Sequence, residues 1–159
     1  MAMTEGVCSL GAGAVRVIWE GDVVFEVEFC DREPFGTVPE ALAAYCRGEP
    51  ADLSALRSVA YDRPGISAEI YRKVAKVPYG TTTTYGTIAR LIGTSARAVG
   101  QAMRRNPTPL VVPCHRVIAA DGTLRGFTPS LAIKAALLAI EERNAPQALN
   151  APEKNLRES

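Results

Sequence analysis

The chain has 159 residues, of which 47% are hydrophobic and 22% charged, and its net charge is +1. That is enough for one domain or for two small lobes sharing a core. Such a composition is too apolar for a disordered chain and holds no apolar run of the ~18 residues that a membrane helix needs. The start lacks a basic-then-apolar export signal, and four cysteines in a chain this long make no disulfide scaffold. The expected object is a soluble intracellular globular protein.

Charge is split along the chain. Residues 1–64 hold 5 basic and 11 acidic side chains, residues 65–145 hold 11 and 4, and residues 146–159 hold 2 and 2. This divides the chain into an acidic N-terminal lobe (1–64), a basic C-terminal lobe (65–145) and a polar tail (146–159). A basic half is the usual footprint of polyanion contact, although a two-lobe protein can also distribute its charge unevenly for no such reason.

In chain order, 14–20 and 23–30 read as strands joined by a Gly21-Asp22 hairpin turn. In the second, Phe25, Val27 and Phe29 alternate with Glu26 and Glu28. Residues 38–47 form a helix that Gly48 stops, and 49–65 is the passage between lobes. The next helix, 66–77, repeats Ile66, Ile70, Val74 and Val77 and breaks at Pro78-Tyr79-Gly80. Thr84 caps a short helix over 85–92 that Gly93 ends, and Thr94-Ser95 opens another over 96–105, stopped by Asn106-Pro107. Two short helices around a glycine-containing turn make a helix-turn-helix pattern. The final helix, 129–142, starts at Thr128-Pro129 and is expected to bury Leu131, Ala135 and Leu138. The fold class is α+β: antiparallel strands plus a helix, then a mainly helical lobe containing the helix-turn-helix.

The second short helix carries small residues, Ala98 and Ala102, and the cations Arg97, Arg104 and Arg105. Such a face admits close approach of a groove, and a solvated helix has the same look. His115 is the chain's one histidine and directly follows Cys114. A zinc site needs several spaced ligands, so no metal is expected. A free thiol with pKa about 8.5 is a poor nucleophile until a base activates it, and the base needs an orienting acceptor. Glu141 or Glu142 on the last helix meets that need. The alternative is a buried inert cysteine beside a surface histidine.

The surrounding residues decide between these. Pro113-Cys114-His115-Arg116-Val117 resembles the active-site motif of the O6-alkylguanine-DNA alkyltransferases, also called methylated-DNA–protein-cysteine methyltransferases. Val77-Pro78-Tyr79-Gly80-Thr81 and Thr84-Tyr85-Gly86 resemble the entry to that family's helix-turn-helix, and Arg97–Met103 its recognition helix. Asn106-Pro107 stands at the family's spacing from the cysteine. Lys134, Leu137-Leu138 and Glu141 resemble its closing helix. The resemblance covers about residues 66–142.

It implies direct-reversal DNA repair: minor-groove binding, flipping of the damaged guanine, and irreversible transfer of its O6-alkyl group to cysteine, once per molecule, with O4-alkylthymine a further substrate in many members. It implies no cofactor, a double-stranded DNA partner carrying alkylated bases, and no membrane. It also implies a cytoplasmic, nucleoid-associated or nuclear setting. The protein is expected as a monomer, with cooperative packing on DNA left open. By the same resemblance Cys114 accepts the alkyl group, and His115, through a water, takes its proton while Glu141 orients the imidazole. Asn106 holds the cysteine segment, and Tyr85 donates to guanine N3. Thr84, Tyr85, Arg97, Ala98 and Ala102 meet DNA, with Arg97 filling the gap in the base stack. Pro109, Val117, Phe127, Thr128 and Pro129 line the lesion pocket. Where the family commonly has Tyr-Ser-Gly-Gly-Leu, this chain has Phe127-Thr128-Pro129-Ser130-Leu131. Pro129 stiffens that loop and is expected to change the tolerance for bulky adducts.

Three other readings compete. Non-catalytic lesion binders of the family replace the cysteine, commonly with tryptophan, but Cys114 is present here. A helix-turn-helix regulator has no need of Cys114-His115, and a Cys–His hydrolase turns over repeatedly.

Overall fold

The computed structural model describes residues 3–124 and 131–148. Strands β1 (Thr4–Leu10), β2 (Gly13–Glu20) and β3 (Val23–Cys30) form an antiparallel meander. The β2–β3 turn is built on Gly21, whose φ of 62° suits glycine. Two-residue strands β4 (Phe35–Gly36) and β5 (Arg57–Ser58) complete a sheet in the order β4-β1-β2-β3-β5, with β5 parallel to β3. The expected antiparallel pair is present as β2 and β3, and β5 makes the complete sheet mixed. β1 escapes a sequence reading because Gly6 and the short polar residues around it blur any alternation. Gly6 is required there, since a Cβ would stand 2.1 Å from the Thr37 carbonyl oxygen.

Helix α1 (Glu40–Cys46) buries Leu42, Tyr45 and Cys46. Helix α2 (Ile66–Val74) buries Ile70, Tyr71 and Val74. It ends three residues before the expected Val77, and Ile66, expected inside, is 41% exposed on its first turn. Helices α3 (Tyr85–Ile92) and α4 (Ala96–Arg104) form the helix-turn-helix. Thr84 Oγ1 accepts from Thr87 N at the start of α3, and Gly93 ends it in the left-handed region. Ser95 Oγ accepts from Ala98 N at 3.1 Å at the start of α4. Short strands β6 (Thr83–Thr84) and β7 (Val117–Ile118) pair in parallel, joining the entry of α3 to the segment after His115.

Helix α5 (Leu131–Ala148) corrects the expectation twice. Its buried face is Lys134, Leu137 and Glu141, whereas Leu131 is 49% exposed and Ala135 is exposed. Apolar periodicity misleads here because charged residues point inward to specific partners. The helix also continues six residues past the expected end at 142, through Asn144, which donates to the Gly48 carbonyl at 2.6 Å and to Tyr79 Oη at 3.2 Å. Those bonds tie the helix beyond its expected end to the body of the protein.

One apolar core spans both halves, from Val15, Val17, Val24 and Val27 in the sheet, through Leu42 and Tyr45, to Ile70, Val74, Ile88, Val99 and Val112. Among the described residues no helix is long and apolar enough to cross a membrane. Ser95→Ala should cost about 1 kcal/mol through the lost cap, lowering the melting temperature by about 2–4 °C. Thermal denaturation followed by circular dichroism checks this.

Candidate active site

Cys114 opens a short 3-10 turn, Cys114–Arg116, whose three side chains are all buried. The approach to it is held by Asn106, which follows the C-terminal end of α4. Asn106 Nδ2 donates to the Val112 carbonyl at 2.9 Å, and its Oδ1 accepts from Thr108 N at 2.9 Å. Pro109 is buried and bridges to Val112, and between them Leu110 adopts φ 79°, a conformation rare for leucine.

Glu141, reaching in from α5, is 1% exposed. Its Oε2 lies 2.6 Å from His115 Nε2 and 2.7 Å from Tyr45 Oη, and it accepts from Arg116 Nη2 at 2.9 Å. Its Oε1 accepts from Arg116 Nε at 2.9 Å and from Gly80 N at 3.0 Å. Burial alone would raise the carboxyl pKa. The hydrogen bonds and charges of His115 and Arg116 outweigh burial and hold it well below the usual carboxylate range.

An ionised carboxylate can only accept, so His115 Nε2 carries the proton and Nδ1 the lone pair. His115 Nδ1 has no hydrogen-bond partner among the described residues. Burial lowers the imidazole pKa, with Glu141 opposing and Arg116 and Lys134 reinforcing, so the resting ring is neutral. The Cys114 thiol is pushed up to about 11 by burial, against the opposing pull of Asn106 and the Lys134 charge. Lys134 Nζ donates to the Val117 carbonyl at 2.7 Å and stands 5.7 Å from the Tyr85 ring centre, its own pKa brought down to about 8 by burial. At rest the turn holds a buried thiol and, on the next residue, a neutral imidazole whose Nδ1 has no hydrogen-bond partner among the described residues.

Of the residues singled out from sequence, the structure gathers Cys114, His115, Glu141, Asn106 and Val117 around one turn. Tyr85 begins α3, half-buried, with Thr84 as its cap. On α4, Arg97 is exposed and Ala98 half-buried. Ala102 is not on that outer face: it is 2% exposed within the core, and its carbonyl accepts from Tyr71 Oη at 2.8 Å. Its small size serves packing against α2. Gly100, where an added Cβ would meet nothing, stands with Gln101 on the outer side. Its spacing three residues beyond Arg97 was the available signal. Phe127, Thr128 and Pro129 lie outside the described residues. A separate cleft of about 840 Å³ runs between residues 50–57 and the end of α2; Pro113 and Arg116 line it, but Cys114 does not.

Two members of the cluster were not expected. Arg116 neutralises Glu141 and also donates to the Val77 carbonyl at 2.7 Å. Its place in the Pro-Cys-His-Arg run was the only hint. Tyr45 carries no signal in the sequence, because its role depends on a contact across 96 residues.

Residues 66–143 match the family described as 6-O-methylguanine DNA methyltransferase, DNA binding domain. A methylated-DNA–protein-cysteine methyltransferase of Mycolicibacterium paratuberculosis is 42% identical over 120 residues, 72% of this chain and 70% of that protein. The chain belongs to the O6-methylguanine-DNA methyltransferase family. A Thermus thermophilus relative named a DNA base-flipping protein is 45% identical over 107 residues, covering 65% of this chain and 71% of its own. The crystal structure of Mycobacterium tuberculosis OGT in complex with DNA superposes with a TM-score of 0.70 at 31% identity, covering 90% of this chain and 95% of that one.

Glu141→Gln leaves the Arg116 guanidinium buried without a counter-charge, so stability should fall by about 3–5 kcal/mol. The sign with pH follows from the lowered pKa: Glu141's contribution is complete above the ordinary carboxylate value of about 4.3 and is lost as pH falls through its lower folded value. Denaturant midpoints of both proteins from pH 7 down to pH 3 check this, the gap between them narrowing towards the acid end.

Proposed function

We propose that the protein repairs O6-alkylguanine in duplex DNA by moving the alkyl group to Cys114, once and irreversibly. The observation that carries this is the buried Cys114-His115-Glu141 arrangement, in which Glu141 commits Nε2 and leaves Nδ1 as the base. The thiol proton passes to Nδ1, through a water, and Lys134 steadies the thiolate. Sulfur bonds to the alkyl carbon as the carbon–O6 bond breaks, and that electron pair leaves with the purine. Tyr85 donates to guanine N3 as the charge develops, and the proton held by His115 returns through solvent to restore tyrosine and imidazole. No cofactor enters this balance. The thioether has no route back to a thiol, so the chemistry ends after one event.

Reaching the alkyl carbon requires the base to leave the stack, at a cost of a few kcal/mol. Exposed Arg97, with Ala98 and Gly100 along one side of α4, suits a helix laid in the minor groove with the guanidinium in place of the flipped base. Thr84 and Tyr85 at the start of α3 lie on the same DNA-facing side of this reading. Pro109 and Val117 border the lesion, with Phe127, Thr128 and Pro129 completing the pocket and O4-alkylthymine as a second substrate. The base-flipping name of the Thermus relative favours a second reading, in which the protein binds and everts the lesion without taking the alkyl group.

Intact-mass measurement after mixing with a duplex bearing O6-methylguanine separates the two readings. Expected is the gain of one methyl group per chain, mapped to the Cys114 peptide and absent in Cys114→Ala, which still binds. Lesion binding by the wild type with no mass change would install the second reading. Arg97→Ala should slow repair in duplex about tenfold more than it slows reaction with free O6-benzylguanine, which needs no flipping. Equal losses in the two rate assays would remove Arg97 from that role.

A further inference from the structure

The Glu141 carboxylate that holds His115 is itself held from the far end of the chain. Tyr45, on α1, is fully buried, and its hydroxyl donates to Glu141 Oε2 at 2.7 Å. The Tyr45 hydroxyl oxygen also lies 3.3 Å from His115 Nε2. Its ring meets Tyr79 edge-on at 5.8 Å and His115 at 6.2 Å between centres. The hydroxyl therefore fills the angle between the carboxylate and the imidazole, on the nitrogen that must keep its proton if Nδ1 is to act as a base.

We propose that Tyr45 is a positioning residue for alkyl transfer, through which the N-terminal half sets both the tautomer and the basicity of His115. Two physical effects combine. The phenol oxygen offers the Nε2 proton a second acceptor, which favours that tautomer. The phenol proton draws on the charge of Oε2, so Glu141 stabilises an imidazolium less than a bare carboxylate would. Burial and the facing Glu141 raise the Tyr45 pKa well above its ordinary value, so the hydroxyl stays a donor. The other charged or titratable groups around the ring are Cys114, Arg116, Lys134 and Tyr79. Arg116 and Lys134 also disfavour the imidazolium, and Tyr79 Oη accepts from Asn144, with no bond to Glu141 among the described residues. Removing the Tyr45 hydroxyl should therefore raise the pKa of His115. The catalytic consequence rests on the alkyl-transfer reading, but the effect on the imidazole does not.

His115 is the one histidine of the chain, so labelled imidazole gives a single NMR spin system to follow. In the wild type the ring should titrate below 6.5, the ordinary histidine value, with nitrogen shifts of the Nε2–H tautomer. In Tyr45→Phe, which keeps the ring, the titration should move up by about half a unit. The acid limb of the single-turnover transfer rate should move with it. Tyr79→Phe removes a hydroxyl from the same ring cluster without touching Glu141 and should leave the titration in place.

A Tyr45→Phe protein that loses rate equally at every pH, with the His115 titration unmoved, would make Tyr45 a packing residue and overturn the proposal. An Nδ1–H tautomer in the wild type would overturn it without recourse to any variant. If the wild type gains no methyl group on Cys114, transfer fails as a function while the titration still decides what Tyr45 does to His115.

Discussion

A single buried carboxylate organises this protein. Glu141 takes hydrogen bonds from Arg116, His115, Tyr45 and the Gly80 amide, and these come from three separate stretches of chain. Taking that charge out of water is tolerable only because Arg116 pairs with it through two nitrogens and the remaining acceptor positions are filled. Burial, reinforced by Arg116 and Lys134, keeps the imidazole neutral against the pull of this carboxylate.

The site and the helix-turn-helix are mechanically continuous. β6 and β7 join the residue that caps α3 to the residues just after His115. At the other end, Asn106 leaves α4 and reaches the Val112 carbonyl, two residues before the sulfur. The Cys114 turn is thus suspended between the two helices, and the distance from an outer helix face to the sulfur is set by hydrogen bonds. Tyr71 adds a strut from α2 to the back of α4 through the Ala102 carbonyl.

What could be read from the sequence was what depends on neighbours in the chain. Thr84, Gly93 and Ser95 are local capping chemistry, and α3 and α4 begin and end where those residues say. Strands β2 and β3 followed from alternation around one glycine turn. The Cys-His pair stood out because the chain has no other histidine. Prediction failed where tertiary contacts override local pattern. The inward face of α5 is partly polar because its partners are, so the apolar pattern points to Leu131 and Ala135, which are exposed, while Lys134 and Glu141 are buried. Ala102 looked like an open surface and is a close contact with α2. Tyr45 looks like one apolar residue of an ordinary amphipathic helix until the fold brings its hydroxyl to Glu141 on α5.

Leu110 shows in which direction control runs. Its backbone sits in a region that leucine avoids, at a cost of order 1–3 kcal/mol, while its side chain is 2% exposed in the core. A glycine would accept the backbone willingly and leave a hole costing about 2–5 kcal/mol, so the trade runs against it. The bend four residues upstream of the sulfur is therefore imposed by the interior, not chosen by the local peptide. Without that interior packing the segment leading to the Cys114 sulfur would lose the anchor that bends it.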